Sequence, residues 1–289
     1  MKNHKGTVEY FFRLIFLICG IAAVFCVLAI SVYLLISGIP AIREIGLKDF
    51  LFGPVWKSER NQFGILPFIL TSIYGTAGAV ILGVPLGILT AVFLAKAAPP
   101  RIAEIIHTCV ELLAGIPSVV YGLTGMTVLV PFIQKIFNLS SGACLLSAIL
   151  VLTVMILPYI ISVSETALRA VPKEYEEASL ALGATKTETW FKISIRAARS
   201  GIIASIIQGV GRAIGEAMAI IMVSGNVANM PSIFGSVRFL TTAIVSEMSY
   251  AAYGSLQRNA LFSIGLVLFL FIMLINGLLR LVSERGSNK

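Results

Sequence analysis

Arg212 and Glu216 are charged residues in the middle of an otherwise apolar stretch of the chain. A charge at the centre of a membrane helix costs on the order of 2.5–3.5 kcal/mol, so it is seldom left facing lipid. In a continuous helix, spacings of three and four residues would place Ser205 and Gln208 on the same face as this pair. The pattern predicts a polar stripe that faces a bundle interior or a water-filled path.

The Arg212 and Glu216 pair has two interpretations. In the first, it is a structural ion pair at i,i+4 that locks helices together. In the second, the planar guanidinium of Arg212 binds an oxyanion in transit through paired, charge-assisted hydrogen bonds, while Glu216 holds the guanidinium and moderates its affinity. We favour the second interpretation, because a single fixed cation can bind an anion without retaining it.

A second polar feature lies at 164–201, where the sequence predicts two short helices joined by a tight turn. Pro172 suits the first position of a helix, and carboxylates that favour the helix dipole follow it at Glu174, Glu176 and Glu177. Gly183 provides a C-cap, and residues 185–188 (Thr-Lys-Thr-Glu) have the spacing of a capping box. The second helix is predicted to run through Trp190.

The composition indicates that these features are positioned by membrane helices. Apolar residues make up 57% of the chain and charged residues 12%, against about 25% charged in a soluble domain. Because lipid offers the backbone no hydrogen-bond partners, each uncharged run must close its bonds as a helix. We predict an all-α polytopic transmembrane bundle with six spans, at Leu14–Ser37, Phe68–Leu94, Cys109–Phe132, Leu145–Val163, Ile202–Val223 and Leu261–Val282.

Small residues predict where two of these spans pack closely. Gly211 with Gly215, and Gly83 with Gly87, have the small-xxx-small spacing that lets another helix approach. Lys and Arg are more frequent in the segments on the side of 164–201 than on the opposite side, so the positive-inside rule places that segment and both termini in the cytoplasm. We predict one membrane domain over residues 1–289.

Several functional classes are excluded by the sequence. The formal charge of +8 is not accompanied by a basic helix interleaved with stacking aromatics, which argues against nucleic-acid binding. The chain has no GxSxG, no HExxH and no GxxxxGK[ST] motif, which argues against an enzyme and against ATP binding by a P-loop. Its four cysteines have neither CxxC nor metal-ligand spacing. We expect this chain to bind no cofactor and no metal.

The polar segment resembles the EAA loop of ABC importer permeases. Glu177, Ala178 and Ser179, followed by Gly183, correspond to its signature, although Ser179 stands in place of Ala and Arg196 stands where the family usually has Pro. In that family the loop docks into a groove of a cytoplasmic ATPase. The resemblance implies the type I (MetI-like) fold, with ATP and Mg²⁺ used by the partner subunit.

Other stretches resemble the PstC type of phosphate ABC permease, from about Phe63 to the C-terminus: Val84–Ile88, Ala98–Arg101, Val110–Gly122 and Gly211–Glu216. The resemblance implies a PstA-type second permease, a PstB-type ATPase dimer, a PstS-type phosphate-binding protein and transport by alternating access. Two alternatives stay open: an ABC permease for another oxyanion, such as molybdate, sulfate or phosphonate, and an ion-coupled secondary transporter. The EAA-like loop disfavours the secondary transporter.

Overall fold

The computed structural model describes the backbone of residues 2–287 and the side chains of residues 9–278. Over these residues the chain is almost entirely helical, with one two-stranded antiparallel hairpin. The elements in order are α1 (Lys2–Ile45), α2 (Leu47–Phe52), β1 (Trp56–Lys57), β2 (Gln62–Phe63), α3 (Leu66–Val92), α4 (Pro100–Gly115), α5 (Ser118–Thr124), α6 (Val130–Ile136), α7 (Leu145–Arg169), α8 (Lys173–Ala181), α9 (Lys186–Thr189), α10 (Ile195–Ala197), α11 (Arg199–Gly215), α12 (Met218–Val223), α13 (Leu240–Glu247) and α14 (Leu256–Ser287).

Among the described residues, five helices are long and apolar enough to cross a membrane. Four of the predicted spans lie within single helices: the first in α1, the fourth in α7, the sixth in α14, and the second in α3 with the π-helical turn Phe93–Ala97 that continues it. Each helix continues past at least one predicted bound, and the extension includes charged residues, such as Lys96 after the second span and Arg169 in α7. The chain is a multi-pass helical membrane protein.

The third span differs from its predicted bounds. It begins at Ser118 and ends at Ile136, so the prediction of Cys109–Phe132 was wrong at its start. The residues before it form the separate helix α4, which ends where Ile116 adopts an extended conformation with ψ 127°. The physical reason is Pro117, because a proline disfavours the α conformation of the residue that precedes it.

The fifth predicted span, Ile202–Val223, is broken into two helices. The first, α11, ends at Gly215, and the second, α12, begins at Met218. Glu216 lies between them in an extended conformation, with φ −73° and ψ 133°. The prediction of one continuous helix was therefore wrong, and the charged residue at the centre of the span lies outside regular helix.

The core of the bundle is formed by α3, α7 and α11, which pack closely through glycines. A Cβ atom built on Gly83 would lie 2.8 Å from Ile156 Cδ1, and one on Gly87 would lie 2.6 Å from Ile160 Cγ2. Ile160 also contacts Gly209 of α11. The close packing predicted for Gly83 and Gly87 is confirmed.

We predict that Gly87→Ala destabilises the bundle. The new methyl group would also lie 3.0 Å from Ile160 Cβ, which is held by the backbone of α7. Overpacking of this kind costs about 1–3 kcal/mol. The measurement is the midpoint of thermal unfolding of the detergent-solubilised protein. Gly20→Ala in α1 is the control, because no heavy atom of the described part of the chain lies within 4 Å of its Cβ position. Equal midpoints for both variants would contradict the prediction.

The end of the bundle that carries the β1–β2 hairpin, which we call the hairpin end, is held by a polar cluster around Glu247. Trp56 Nε1 lies 3.1 Å from each carboxylate oxygen of Glu247, and Gln257 Nε2 donates to the same carboxylate at 3.0 Å. Arg238 forms an ion pair with Glu247 and donates Nη2 to the Asn226 carbonyl at 2.9 Å. This cluster holds the loop between α12 and α13, and α13 in turn donates the Thr241 hydroxyl to the Glu216 carbonyl at the break in the fifth span.

Candidate functional site

The break in the fifth span is held by hydrogen bonds on both sides of Glu216. Glu216 Oε1 accepts a hydrogen bond from the backbone N–H of Ala219 at 3.1 Å, which satisfies a free donor at the start of α12. Thr241 of α13 donates its hydroxyl to the Glu216 carbonyl at 2.7 Å. Glu216 is buried. The carboxylate is therefore fixed by the protein at the point where the helix is interrupted.

Arg212 lies beside this carboxylate but is much more open. Its Nη2 atom is 3.6 Å from Glu216 Oε2, and its side chain is 41% exposed, whereas that of Glu216 is 4% exposed. The guanidinium carbon lies 5.9 Å from the centre of the Tyr159 ring on α7. The Glu216 carboxylate thus lies beside one edge of the Arg212 guanidinium, and the remaining donors of that guanidinium are accessible. Such a group can bind a carboxylate, phosphate or similar oxyanion in a bidentate manner.

The predicted polar stripe is divided in the structure. Ser205 is buried, and its hydroxyl lies 2.8 Å from that of Ser164 on α7. The Ser205 hydroxyl donates a hydrogen bond to the Ile202 carbonyl at 2.7 Å. Gln208 is exposed, like Arg212. The stripe was predicted on one continuous helix, and this was wrong because the helix ends before Glu216 and packs its Ser205 side against α7. The structure brings together Arg212 and Glu216 and leaves Ser205 in a helix contact.

The face of α11 beside Arg212 is open. Among the residues that the structure describes, no heavy atom lies within 4 Å of a Cβ built on Gly211 or Gly215, and Gln208 is exposed on the same side. Whether another helix approaches these glycines, as their spacing predicts, depends on a second chain and stays a prediction. In a single chain this face leaves Arg212 accessible.

The second candidate region is the helix pair, and its predicted geometry is confirmed. Helix α8 ends in a Schellman motif in which Gly183 has φ +86°, with its N–H bonded to the Leu180 carbonyl and the N–H of Ala184 bonded to the Ser179 carbonyl. Pro172 occupies the N-cap rather than the first helical position that was predicted, because its ψ of 135° is extended.

The capping box that opens the second helix is also present. The N–H of Glu188 donates to Thr185 Oγ1 at 3.3 Å, and the N–H of Thr185 donates to Glu188 Oε2 at 3.1 Å. The bond from the Thr185 backbone, supported by the Thr185 hydroxyl and by Lys192, holds the pKa of Glu188 below its ordinary value. The helix then continues through Trp190 in a π-helical turn, Trp190–Ser194. The turn between the two helices is thus fixed from both sides.

The EAA-like residues lie on the outer surface of this pair. Glu177, Ala178 and Gly183 are exposed, and Ser179 bridges the two helices through its hydroxyl, 2.9 Å from that of Thr189. Apolar side chains are exposed on the same pair, with Leu182 90% exposed. Exposed apolar side chains on a short, capped helix are typical of a protein–protein contact.

Sequence reasoning missed a bond that joins this pair to the membrane bundle. Lys96 Nζ, at the end of the second span, lies 2.5 Å from Glu176 Oε1, and Ser194 donates its hydroxyl to the same oxygen at 2.8 Å. Burial acts to raise the pKa of Glu176, but the hydrogen bonds from Lys96 and Ser194 and the charge of Lys96 hold it below its ordinary value. No motif signals this contact, because the two residues are far apart in the chain.

Comparison with known proteins gives the family. Residues 83–287 match the model of the binding-protein-dependent transport system inner membrane component. The probable ABC transporter permease protein YqgH of Bacillus subtilis is 39% identical over 91% of this chain and 88% of the relative. The phosphate transport system permease protein PstC of Haemophilus influenzae is 34% identical over 96% of this chain and 91% of the relative. A probable PstC of Methanocaldococcus jannaschii is 31% identical over 90% of each chain.

Solved structures with this fold include ABC transporters. A chain of the inward-facing MetNI methionine transporter superposes with a TM-score of 0.61 at 19% identity, covering 77% of this chain and 95% of that one. A chain of an amino acid ABC transporter with histidines gives 0.54 at 19% identity, covering 76% and 92%. These similarities establish a MetI-like fold. The chain therefore belongs to the binding-protein-dependent transport system inner membrane components, and it is a permease subunit of an ABC importer rather than an enzyme.

Proposed function

We propose that this chain is a permease subunit of an ATP-driven phosphate importer. Together with a second permease of the PstA type it forms the transmembrane phosphate pathway, and it receives phosphate from a PstS-type binding protein. Two relatives whose names specify phosphate transport align with at least 90% of the chain. The observation in the structure that best supports the proposal is the accessible Arg212 at the break in the fifth span.

Arg212 has the properties that a transient oxyanion site requires. Its guanidinium lies 3.6 Å from a buried carboxylate, which is itself held by the Ala219 N–H and so fixes a negative charge beside the cation. Its accessible donors can form the parallel hydrogen bonds that match two phosphate oxygens. The negative charge of Glu216 partly offsets the cation and so limits how tightly an anion is held. In this proposal Arg212 contacts phosphate, Glu216 positions Arg212, Gln208 lines the same face, and Ser205 supports the helix from behind.

The helix pair supplies the proposed coupling to ATP. Glu177, Ala178, Ser179 and Gly183 would dock into a PstB-type ATPase dimer, which uses ATP and Mg²⁺, while this chain binds no cofactor of its own. Closure of the ATPase dimer on ATP would move the helix pair and the attached spans, and thus alternate access to the pathway. The support is the exposed position of these residues on a capped, rigid turn.

The test is ATP-dependent uptake by the reconstituted complex, with phosphate, sulfate and molybdate in competition. We expect phosphate uptake only when ATP is supplied on the side of the membrane that carries the ATPase. Excess sulfate or molybdate should leave phosphate uptake unchanged. Uptake of another oxyanion in preference to phosphate would contradict the proposal that phosphate is the substrate. Uptake driven by an ion gradient without ATP would contradict the class of transporter.

We also propose that 164–201 and both termini lie in the cytoplasm. The structure supports this by placing the basic segment with Lys186 and Lys192 on the outside of the bundle, away from the hairpin end. We predict that an impermeant thiol reagent applied to intact, outer-membrane-permeabilised cells labels Lys57→Cys and spares Thr187→Cys. The native exposed cysteines are first replaced by Ser: Cys19, Cys26 and Cys109. Labelling at position 187 with position 57 protected would reverse the orientation.

A further inference from the structure

One carboxylate joins three segments at the end of the bundle opposite the hairpin. Glu176 lies on α8, its partner Lys96 lies in the π-helical turn that ends the second span, and Ser194 lies in the π-helical turn after α9. The side chains of Lys96 and Glu176 are only 11% and 20% exposed. The ion pair is thus shielded from solvent more than an ordinary surface pair, which increases its strength.

Helix α8 has few other attachments. None of its residues is buried, and its main packing partners are the next parts of the same helix pair, Lys186–Thr189 and Trp190–Ser194. Among the hydrogen bonds and ion pairs of the described side chains, the bond to Lys96 is the one that connects α8 to a membrane span. This ion pair is therefore the polar contact through which movement of α8 reaches the second span, beside the short link to α7 and the apolar packing of Trp190 against the span ends.

The end of the second span, which carries Lys96, is tied to the fourth span by further polar bonds. Arg169, at the end of α7, forms an ion pair with Glu165 at 2.8 Å and donates Nη2 to the Leu94 carbonyl at 3.1 Å. This bond ties the end of the fourth span to the π-helical turn that carries Lys96. A cavity of about 430 Å³, lined by Lys96, Arg169, Glu176 and Trp190, separates the span ends from α8. The second half of the helix pair packs on the span ends through an apolar cluster that includes Val92, Leu168 and Trp190, whereas α8 itself contacts the second span through the Lys96–Glu176 ion pair.

We propose that Lys96 and Glu176 are positioning residues for coupling: their ion pair transmits movement of the helix pair to the second and fourth spans. The inference rests on the proposed function, in which the helix pair docks on an ATPase. Without the Lys96–Glu176 ion pair, the helix pair can still bind the ATPase through its outer face, because Glu177 and Leu182 do not take part in that ion pair. ATP hydrolysis would then continue while less substrate is moved for each ATP.

The experiment compares phosphate uptake and ATP hydrolysis in proteoliposomes that contain the assembled complex. Lys96→Glu places two carboxylates together, and the exchange variant Lys96→Glu with Glu176→Lys restores an ion pair in reverse. Lys192→Glu is the matched control, because it creates the same repulsion against Glu188 inside one exposed helix of the same segment. We expect Lys96→Glu to lower the ratio of phosphate moved to ATP hydrolysed by about five-fold or more. We expect the exchange to recover most of that ratio and Lys192→Glu to leave it unchanged.

Several outcomes decide the proposal. A wild-type ratio in assembled Lys96→Glu complex would overturn it. If Lys96→Glu does not assemble, the exchange variant decides, because an assembled exchange complex with a low ratio would also overturn it and one with a wild-type ratio would support it. A wild-type complex that moves sulfate or molybdate in place of phosphate would instead contradict the proposed substrate. The same ratio, measured with the anion that is moved, would still test the Lys96–Glu176 contact.

Discussion

Replacement of Arg212 by Met together with Glu216 by Gln should leave a complex that assembles but moves little phosphate. Gln keeps an oxygen for the Ala219 N–H, so α12 retains the bond that Glu216 provides. Met removes the accessible cation, and hydrogen bonds to a charged group contribute about 1.5–3 kcal/mol each. Uptake per assembled complex should therefore fall about tenfold or more. The measurement is phosphate uptake normalised to complex in the membrane, with ATPase binding checked separately.

Arg212→Lys is the matched variant for this experiment. It retains the charge but loses the planar fork, so we expect partial uptake between that of the wild type and the double variant. A purely structural ion pair would behave differently, because replacing both partners of such a pair by uncharged residues often leaves stability unchanged. Near-normal uptake by the double variant would leave Arg212 and Glu216 as a packing device and would remove Arg212 from the pathway.

Substitution of Gly183 by Val should separate the permease from its ATPase. Gly183 has φ +86°, a conformation that a β-branched residue adopts only with strain of about 1–3 kcal/mol. In the described structure no heavy atom lies within 4 Å of its Cβ position, so backbone strain rather than collision is the expected cause. Relief of the strain would open the Schellman turn and change the angle between α8 and α9. We expect loss of ATPase co-purification and of phosphate uptake.

Gly183→Asn is the control at the same position, since Asn tolerates a left-handed backbone far better than Val. It adds a side chain of comparable size, so any effect of bulk alone would appear in both variants. Co-purification and uptake should be close to wild type for Asn and strongly reduced for Val. Equal behaviour of the two variants, whether both normal or both impaired, would contradict a role for the turn geometry in docking.

Hydropathy and local motifs predict the features of this fold that are determined by residues close together in the sequence. The spans in α1, α3, α7 and α14 follow from uncharged runs. The helix pair follows from Gly183 and from the capping box of residues 185–188, because caps satisfy backbone groups within a few residues. The break before Ser118 was also within reach of the sequence, since Pro117 restricts Ile116.

The break at Glu216 could not be predicted in the same way. No proline interrupts residues 202–223, and this mainly apolar stretch is long enough for one continuous span. The helix ends there because Glu216 is held by Ala219 and by Thr241, and Thr241 arrives from a distant helix. The Lys96–Glu176 contact has the same character. The Thr241 bond and the Lys96–Glu176 contact depend on tertiary packing, which is not encoded in any local spacing.

In the proposed complex, the interrupted backbone at Glu216 also restricts what the second permease can place opposite it. Helix α11 ends at Gly215 with a face that this chain leaves uncovered, and the last carbonyl groups of a helix have no partners within it. At membrane depth, non-helical backbone is tolerated only where protein groups or water satisfy it. A wholly aliphatic helix therefore cannot seal this surface. The facing subunit must contribute hydrogen-bond donors at this level or leave a hydrated gap, which is a compositional requirement that can be sought in its sequence.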